Sequence, residues 1–232
     1  MGYVKEQWML GNNPDPKRFE DVHTKGGWYR REKRKKGTKV NPVLKKNVHT
    51  MTESLAAADR LIAKLDPWVR DLELVTVRMN IAANFTKRYN ITGKADFMLM
   101  KGLDLQPYRK LDELLRAPYR VDIVKDEVII KIDVGERSLE LTHSIATEFY
   151  FDAVILWGNP MEEKGLRVDG VESKLYSIKS KKAEKCVLRL DLPGKKMPWM
   201  VLLKVSCLEG NELAINTRHY GMKIVEVGGN IE

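Results

Sequence analysis

The spacing of apolar residues changes once along this chain, at about Tyr119. Before that point apolar residues recur every three or four positions, as on one face of an α-helix, and after it they alternate with polar residues, as along a half-buried strand. The helical spacing precedes the alternating one and does not interleave with it, which argues against a doubly wound sheet. We therefore expect an α+β fold in which a helical section over residues 50–117 and an antiparallel β-sandwich over residues 118–232 form one compact unit.

Two long helices and one short helix are predicted in the helical section. Residues 50–53 have the spacing of a capping box, which places the start of the first helix at Thr50. Asp66-Pro67 is expected to end that helix and to begin the second, which runs to about Tyr89. The second helix carries two apolar stripes, so we expect contacts on more than one of its sides. The stripe residues predicted to form a protein interface are Trp68, Leu72 and Val75. The short helix is predicted over residues 111–116.

Seven or eight short strands are predicted after Tyr119, over about 110 residues. In residues 128–134, for example, Val128, Ile130 and Ile132 share one face of a strand, while Lys131 and Asp133 share the other. Similar series recur around residues 149–157, 186–192, 199–207 and 222–227.

The two cysteines, Cys186 and Cys207, are too few for a disulfide framework. If the segments on either side of residues 193–198 pair as a hairpin, Cys186 lies nearly opposite Cys207. Two buried reduced thiols are the favoured interpretation, with a cross-strand disulfide as the alternative.

The positive charge of the chain is concentrated at its N-terminus. The formal net charge is +9, and the first fifty residues hold thirteen Lys or Arg against five acidic residues. The rest of the chain is nearly neutral. Residues 1–49 therefore predict a basic arm, extended or ordered by a partner, and a polyanionic partner such as nucleic acid.

Within the arm, a run of cations follows two aromatic residues. Lys and Arg neutralise phosphates and release condensed counterions, and aromatic faces stack on unpaired bases. A solubilising tail and an arm that docks on an acidic protein surface are the alternatives. The predicted polyanion-binding residues are Trp28, Tyr29, Arg30, Arg31, Lys33, Arg34, Lys35 and Lys36.

The sequence predicts no catalytic residue, metal site or cofactor. No zinc-ligand spacing and no glycine-rich phosphate loop is present. His143 or His219 could approach Cys207, but the thiol lies on the inward phase of its predicted strand, where it would be inert. Asp169 is the remaining candidate for a site built from loops.

No apolar run reaches the length of a membrane span, and the N-terminus does not resemble a signal peptide, so we expect a soluble intracellular protein. The first hypothesis is a non-enzymatic structural or assembly protein that forms homo-oligomers. Coat proteins of virus-like particles also combine a sandwich with a basic arm, which is an analogy of fold alone. The second hypothesis is a monomeric nucleic-acid-binding accessory protein, for example of a large RNA particle. An enzyme with a loop-built site is the third.

Overall fold

The chain has an α+β fold. The computed structural model describes the backbone of residues 19–24, 27–32, 42–70, 72, 75–141, 145–194, 197–210, 212–214 and 217–229. Of these residues it also describes the side chains from Lys46 onward, except those of Val75 and Thr217. These residues contain three helices, α1 (Pro42–Val69), α2 (Val75–Thr92) and α3 (Leu111–Leu114). The strands are β1 (Phe19–Thr24), β2 (Gly27–Glu32), β3 (Tyr119–Val124), β4 (Glu127–Val134), β5 (Glu148–Gly158), β6 (Leu166–Glu172), β7 (Tyr176–Ser177), β8 (Glu184–Asp191), β9 (Trp199–Glu209), β10 (Glu212–Leu213) and β11 (Tyr220–Gly228).

The chain divides into two compact units, Met1–Lys46 and Asn47–Glu232. In the first unit β1 and β2 form an antiparallel hairpin, with Phe19 opposite Glu32 and Thr24 opposite Gly27. The sequence indicated no strand here because the apolar residues of the arm have no regular period. The breaker at residues 25–27, however, falls where the first strand ends and the second begins.

Helix α1 differs from its prediction at both ends. It begins at Pro42, a residue that suits the first helical turn because its φ is already fixed, so the capping-box spacing at Thr50 does not mark the start. Thr50 is instead a buried residue inside the helix. The predicted break at Asp66-Pro67 is also wrong, since α1 continues through Pro67 to Val69. Pro67 lies in the last turn, so the one hydrogen bond that its missing N–H cannot donate is lost close to the end of the helix.

Helices α1 and α2 contact each other along apolar and polar residues. Ile81 and Phe85 of α2 are fully buried, and Phe85 packs against Phe97 with ring centroids 6.2 Å apart. The Thr86 hydroxyl donates to the Met51 sulfur at 3.6 Å. The predicted stripe that contains Val77, Ile81 and Phe85 is therefore a core face of α2.

The larger sheet has six strands in the order β10-β9-β5-β6, with β11 also paired to β9 and β7 also paired to β5. Strands β5 and β9 lie in its centre and are buried along almost their whole length on both faces. Helix α1 packs on one face of this sheet, because the Trp68 ring lies against Gly170 of β6.

The smaller sheet has three antiparallel strands in the order β3-β4-β8. The alternation predicted for β4 is confirmed, since Val128, Ile130 and Ile132 are buried while Asp133 is exposed and Lys131 is half-buried. Residues 119–228 contain seven strands of six residues or more among the described ones, together with the two-residue strands β7 and β10.

The hairpin that would bring the two cysteines together does not form. Strand β8 pairs with β4 and β9 pairs with β5 and β11, so Cys186 and Cys207 lie in different sheets. Both thiols are free and buried. The two strands differ in burial, since β9 is buried on both faces in the centre of the larger sheet, whereas β8 has one face in solvent.

Candidate polyanion interface

The N-terminal residues predicted to bind a polyanion fall into two groups. Trp28, Tyr29, Arg30 and Arg31 lie on β2. Residues 33–36, which hold Lys33, Arg34, Lys35 and Lys36, lie outside the described residues, so their predicted role stays a prediction.

The backbone register of the hairpin pairs basic positions with acidic ones. Asp21 lies opposite Arg30 and Glu20 lies opposite Arg31. With Glu32, the two strands contain three acidic residues and two basic ones. The cationic surplus of the arm therefore belongs to the residues around the hairpin.

The predicted interface residues have intramolecular neighbours. Leu72 is buried in the core, with 7% of its surface exposed. Trp68 is partly buried and packs against the core and Gly170. The side chain of Val75 lies outside the described residues. Packing within the chain accounts for Trp68 and Leu72, and their predicted role toward another protein remains untested.

A second concentration of positive charge lies at the end of the smaller sheet where β4 ends and β8 begins. Three grooves meet there. The largest, of about 460 Å³, is lined by Tyr119, Arg120, Lys131 and Lys185, among others. The other two share the turn at Gly135 and border the loop between β7 and β8. Together the three grooves are lined by seven basic and three acidic side chains.

We call this surface the basic strip. It comprises the seven lining cations and the exposed Lys181 of the same loop: Arg120, Lys131, Arg137, Lys174, Lys179, Lys181, Lys182 and Lys185. The turn at Gly135 lies beside the loop, because a Cβ on Gly135 would be 4.0 Å from the Ala183 Cα.

Half of the basic strip is engaged in ion pairs. Lys131 donates to Asp122 at 2.8 Å, and Lys174 donates to Glu184. Each hydrogen bond lowers the pKa of the carboxyl that accepts it, so both acids stay charged and partly neutralise the strip. Arg120 and Lys182 share the same two acids at 3.4 and 3.7 Å.

The other four cations of the basic strip have no ion-pair partner among the described residues. No salt bridge in the described part of the chain involves Arg137, Lys179, Lys181 or Lys185, and all four are exposed. Exposed ammonium and guanidinium groups of this kind bind phosphate oxygens with little desolvation cost.

The chemistry of the basic strip suits the phosphate backbone better than bases. Its three aromatic lining residues offer little ring surface for stacking: Phe149 and Tyr176 are buried, and Tyr119 is partly buried against the core. Stacking on unpaired bases would therefore have to come from Trp28 and Tyr29 of the arm.

Sequence reasoning missed the basic strip because the charge of the body was averaged over its length. Residues 120, 131 and 185 are far apart in the chain, and the pairing of β3 with β4 and of β4 with β8 brings them together. The cluster of lysines at residues 179–185 was the one local signal in the sequence.

The thiol that sequence reasoning considered for catalysis lies in an inert setting. Burial, helped by the nearby Glu209 carboxylate, raises the pKa of Cys207 to about 12. His219 is also buried, and its Nδ1 is 3.6 Å from Glu209 Oε1. His143 lies outside the described residues. Asp169 accepts a hydrogen bond from the backbone N–H of Gly170 at 2.8 Å and does not line the grooves of the basic strip.

Within the described residues, no group of three or more His, Cys, Asp or Glu side chains is arranged to hold a metal ion. None of the helices described is long and apolar enough to cross a membrane. Comparison with protein-family models, with curated proteins and with solved structures found no significant match.

Proposed function

We propose that this chain is a structural or assembly protein without enzymatic activity, which engages nucleic acid or another polyanion through its basic N-terminal arm and its basic strip. The proposal includes the packing of the two sheets as a sandwich. It also includes residues 1–49 as one basic arm. The helices and the sheets would make the contacts with other protein subunits.

The observation that carries the proposal is the set of exposed cations in the basic strip that have no ion-pair partner among the described residues: Arg137, Lys179, Lys181 and Lys185. A surface kept for solubility alone does not need cations from two separate parts of the chain, residue 137 and residues 179–185, to lie together at one end of the sheet. Neutralising phosphates with several such groups releases counterions and gives affinity that depends on salt but not on sequence.

The experiment compares two variants that lose equal charge. In the strip variant, Arg137, Lys179, Lys181 and Lys185 are changed to Gln. In the control variant, four exposed cations away from the strip are changed to Gln: Lys64, Lys87, Lys164 and Arg167. Binding of each variant to a fluorescent oligonucleotide is measured across a salt series.

If all four cations of the strip contact phosphates, the slope of log K against log salt should become shallower by about 3 in the strip variant. The control variant should keep a slope within about 1 of the unaltered protein. Equal slopes in both variants would show that only total charge matters and would remove the strip from the proposal.

The second hypothesis, a monomeric accessory protein that binds nucleic acid, is distinguished by oligomeric state. An assembly protein should form defined oligomers without nucleic acid, whereas an accessory protein should remain monomeric at the same concentration.

A further inference from the structure

Strand β3 has an outer edge that pairs with no strand among the described residues, since the smaller sheet ends with it. The pair just before β3 shows which of its backbone groups face β4. There the N–H of Asp133 donates to the carbonyl of Pro118 at 3.1 Å. Because backbone groups alternate between the two sides of a strand, the even-numbered residues of β3 bond to β4. The N–H and C=O groups of Tyr119, Val121 and Ile123 therefore point away from the sheet.

The other long strands at the rim of the body are occupied or charged. Strand β8, at the far end of the smaller sheet, exposes Lys185, Arg189 and Asp191. The outer edge of β11 is paired by residues 102–105, whose backbone exchanges hydrogen bonds of 2.7 to 2.9 Å with Met222 and Ile224. Strand β6 presents Arg167, Asp169 and Glu172. Such devices normally stop a sheet from pairing with another molecule.

Among the described residues, no other backbone covers the outer edge of β3, and its two charged residues, Arg120 and Asp122, have opposite signs. The strand contains no proline, and its register with β4 runs without a bulge from Tyr119 to Val124. The C-terminal end of β3 is apolar and open to solvent, with 53% of Ile123 and 48% of Val124 exposed. An edge of this kind is suited to pairing with another strand.

The sequence of β3 is complementary to itself in the antiparallel direction. If a two-fold axis relates two copies at Val121, then Val121 lies opposite Val121 of the second copy. In the same register Tyr119 lies opposite Ile123 of the second copy. These are the odd-numbered residues, whose backbone groups face outward, so each pair exchanges hydrogen bonds. Arg120 then lies opposite Asp122 of the second copy, and the same contact repeats across the axis. Directly opposed opposite charges stabilise a strand pair.

We propose that two copies of this chain pair through β3, which joins their smaller sheets into one antiparallel sheet of six strands. The contact is isologous, as in most two-fold dimers. The axis is perpendicular to the sheet, so both outer faces, each with its Arg120 and Lys131, lie on the same side. The inference rests on the proposed assembly function for its biological role, and it would double the length of the basic strip offered to one polyanion.

The experiment exploits the predicted Arg120–Asp122 contacts. In R120D, the introduced carboxylate would face Asp122 of the second copy, and in D122R, the introduced guanidinium would face Arg120 of the second copy. Each variant alone therefore places like charges opposite each other at two points. An equimolar mixture of R120D and D122R places opposite charges at both points, so it can form a heterodimer. Sedimentation velocity without nucleic acid measures each sample.

The unaltered chain should sediment as a dimer, and each single variant should show a dimer dissociation constant raised by about tenfold or more. The mixture should recover most of the dimer. A monomeric unaltered chain, or single variants that dimerise as well as it does, would overturn the proposal. Failure of the mixture to recover the dimer would also overturn it, because complementation requires this register.

A second pair of variants separates pairing from folding. Ile123→Lys places a charge on the open edge, whereas Val187→Lys changes an equally exposed residue on the outer face of β8. Only Ile123→Lys should weaken the dimer, while both variants should keep the far-ultraviolet circular dichroism of the unaltered chain. Nucleic-acid binding by the monomeric variants is scored separately, so loss of the dimer and loss of the proposed function are distinguishable.

Discussion

Asp152 of β5 lies directly opposite Lys204 of β9, and 5% and 3% of their surfaces are exposed. Burial raises the pKa of Asp152 to about 6. The Lys204 ammonium opposes this shift, and Glu172 on the neighbouring strand adds to it. The pair lies on the two central strands of the larger sheet, both of which are buried along almost their whole length.

This relationship predicts how stability changes with pH. The pKa of Asp152 is higher in the native chain than its ordinary value of 3.8, so between these values the native chain holds a proton that the unfolded chain releases. Its stabilising contribution is complete below pH 3.8 and is lost as the pH rises through 6. Across that range the contribution changes by about 3 kcal/mol.

The measurement is the free energy of unfolding of the unaltered chain and of Asp152→Asn at several pH values from 4 to 8. The difference between the two proteins should change by about 3 kcal/mol in the direction given above. Asp169→Asn, at an exposed position on β6, serves as the control and should leave the pH dependence of the unaltered chain in place. A constant difference for Asp152→Asn would contradict the account.

We predict that the ring of Trp68 leaves no room for a side chain at Gly170. A Cβ at Gly170 would lie 2.8 Å from the Trp68 Cζ2 atom and 3.4 Å from the Ala153 carbonyl oxygen. Gly170→Ala should lower the free energy of unfolding by about 1–3 kcal/mol, and less in a Trp68→Leu background, as measured by urea denaturation. Gly194→Ala has open space around its Cβ and should be nearly neutral. Equal effects of the two substitutions would be evidence against this packing.

We predict that the carboxylate of Asp96 contributes more to the free energy of unfolding than that of Asp59. Asp96 is buried, and it accepts hydrogen bonds of 2.8 Å from Arg88 Nε and of 3.0 Å from the Met98 backbone N–H. Asp59 pairs with Arg78 at a half-exposed position. Asp96→Ala should cost about 2–4 kcal/mol in thermal or urea unfolding, and Asp59→Ala about 1 kcal/mol or less. A reversed order would refute the assignment.

Both thiols are predicted to be reduced and unreactive in the native protein. Burial raises the pKa of Cys186 as well as that of Cys207, so little reactive thiolate forms at neutral pH. Labelling with a thiol reagent should be slow in buffer and should reach two groups per chain in guanidinium. One or no group under denaturing conditions would show that a thiol is oxidised.

Strand order and helix ends depend on information that the sequence does not carry locally. The alternation of β4 and β8 was predictable because each has one face in solvent. Alternation along β5 and β9 alone would leave Asp152 and Lys204 on a solvent face, whereas α1 covers that face of the larger sheet through Trp68. Pro67 misled the helix prediction because a proline in the last turn costs little, and its distance from the helix end was not known in advance.

The sequence predicted a basic surface in the arm and did not predict the basic strip of the folded body. The excess of Lys and Arg before residue 50 indicated a polyanion, and the residues named for binding were those of the longest basic run. The basic strip depends on the β3-β4-β8 order, which aligns cations from segments more than fifty residues apart. Local composition cannot show such an alignment.

The most direct test of the central claim is binding of the full chain, and of a version that lacks residues 1–41, to a single-stranded and a duplex oligonucleotide across a salt series. Truncation at residue 41 leaves α1 complete. The account predicts a steep negative slope for the full chain. It predicts a shallower but clear slope for the truncated chain, which keeps the basic strip, and a loss of any preference for the single strand. Absent or salt-independent binding by the full chain would contradict the claim that this protein engages a polyanion.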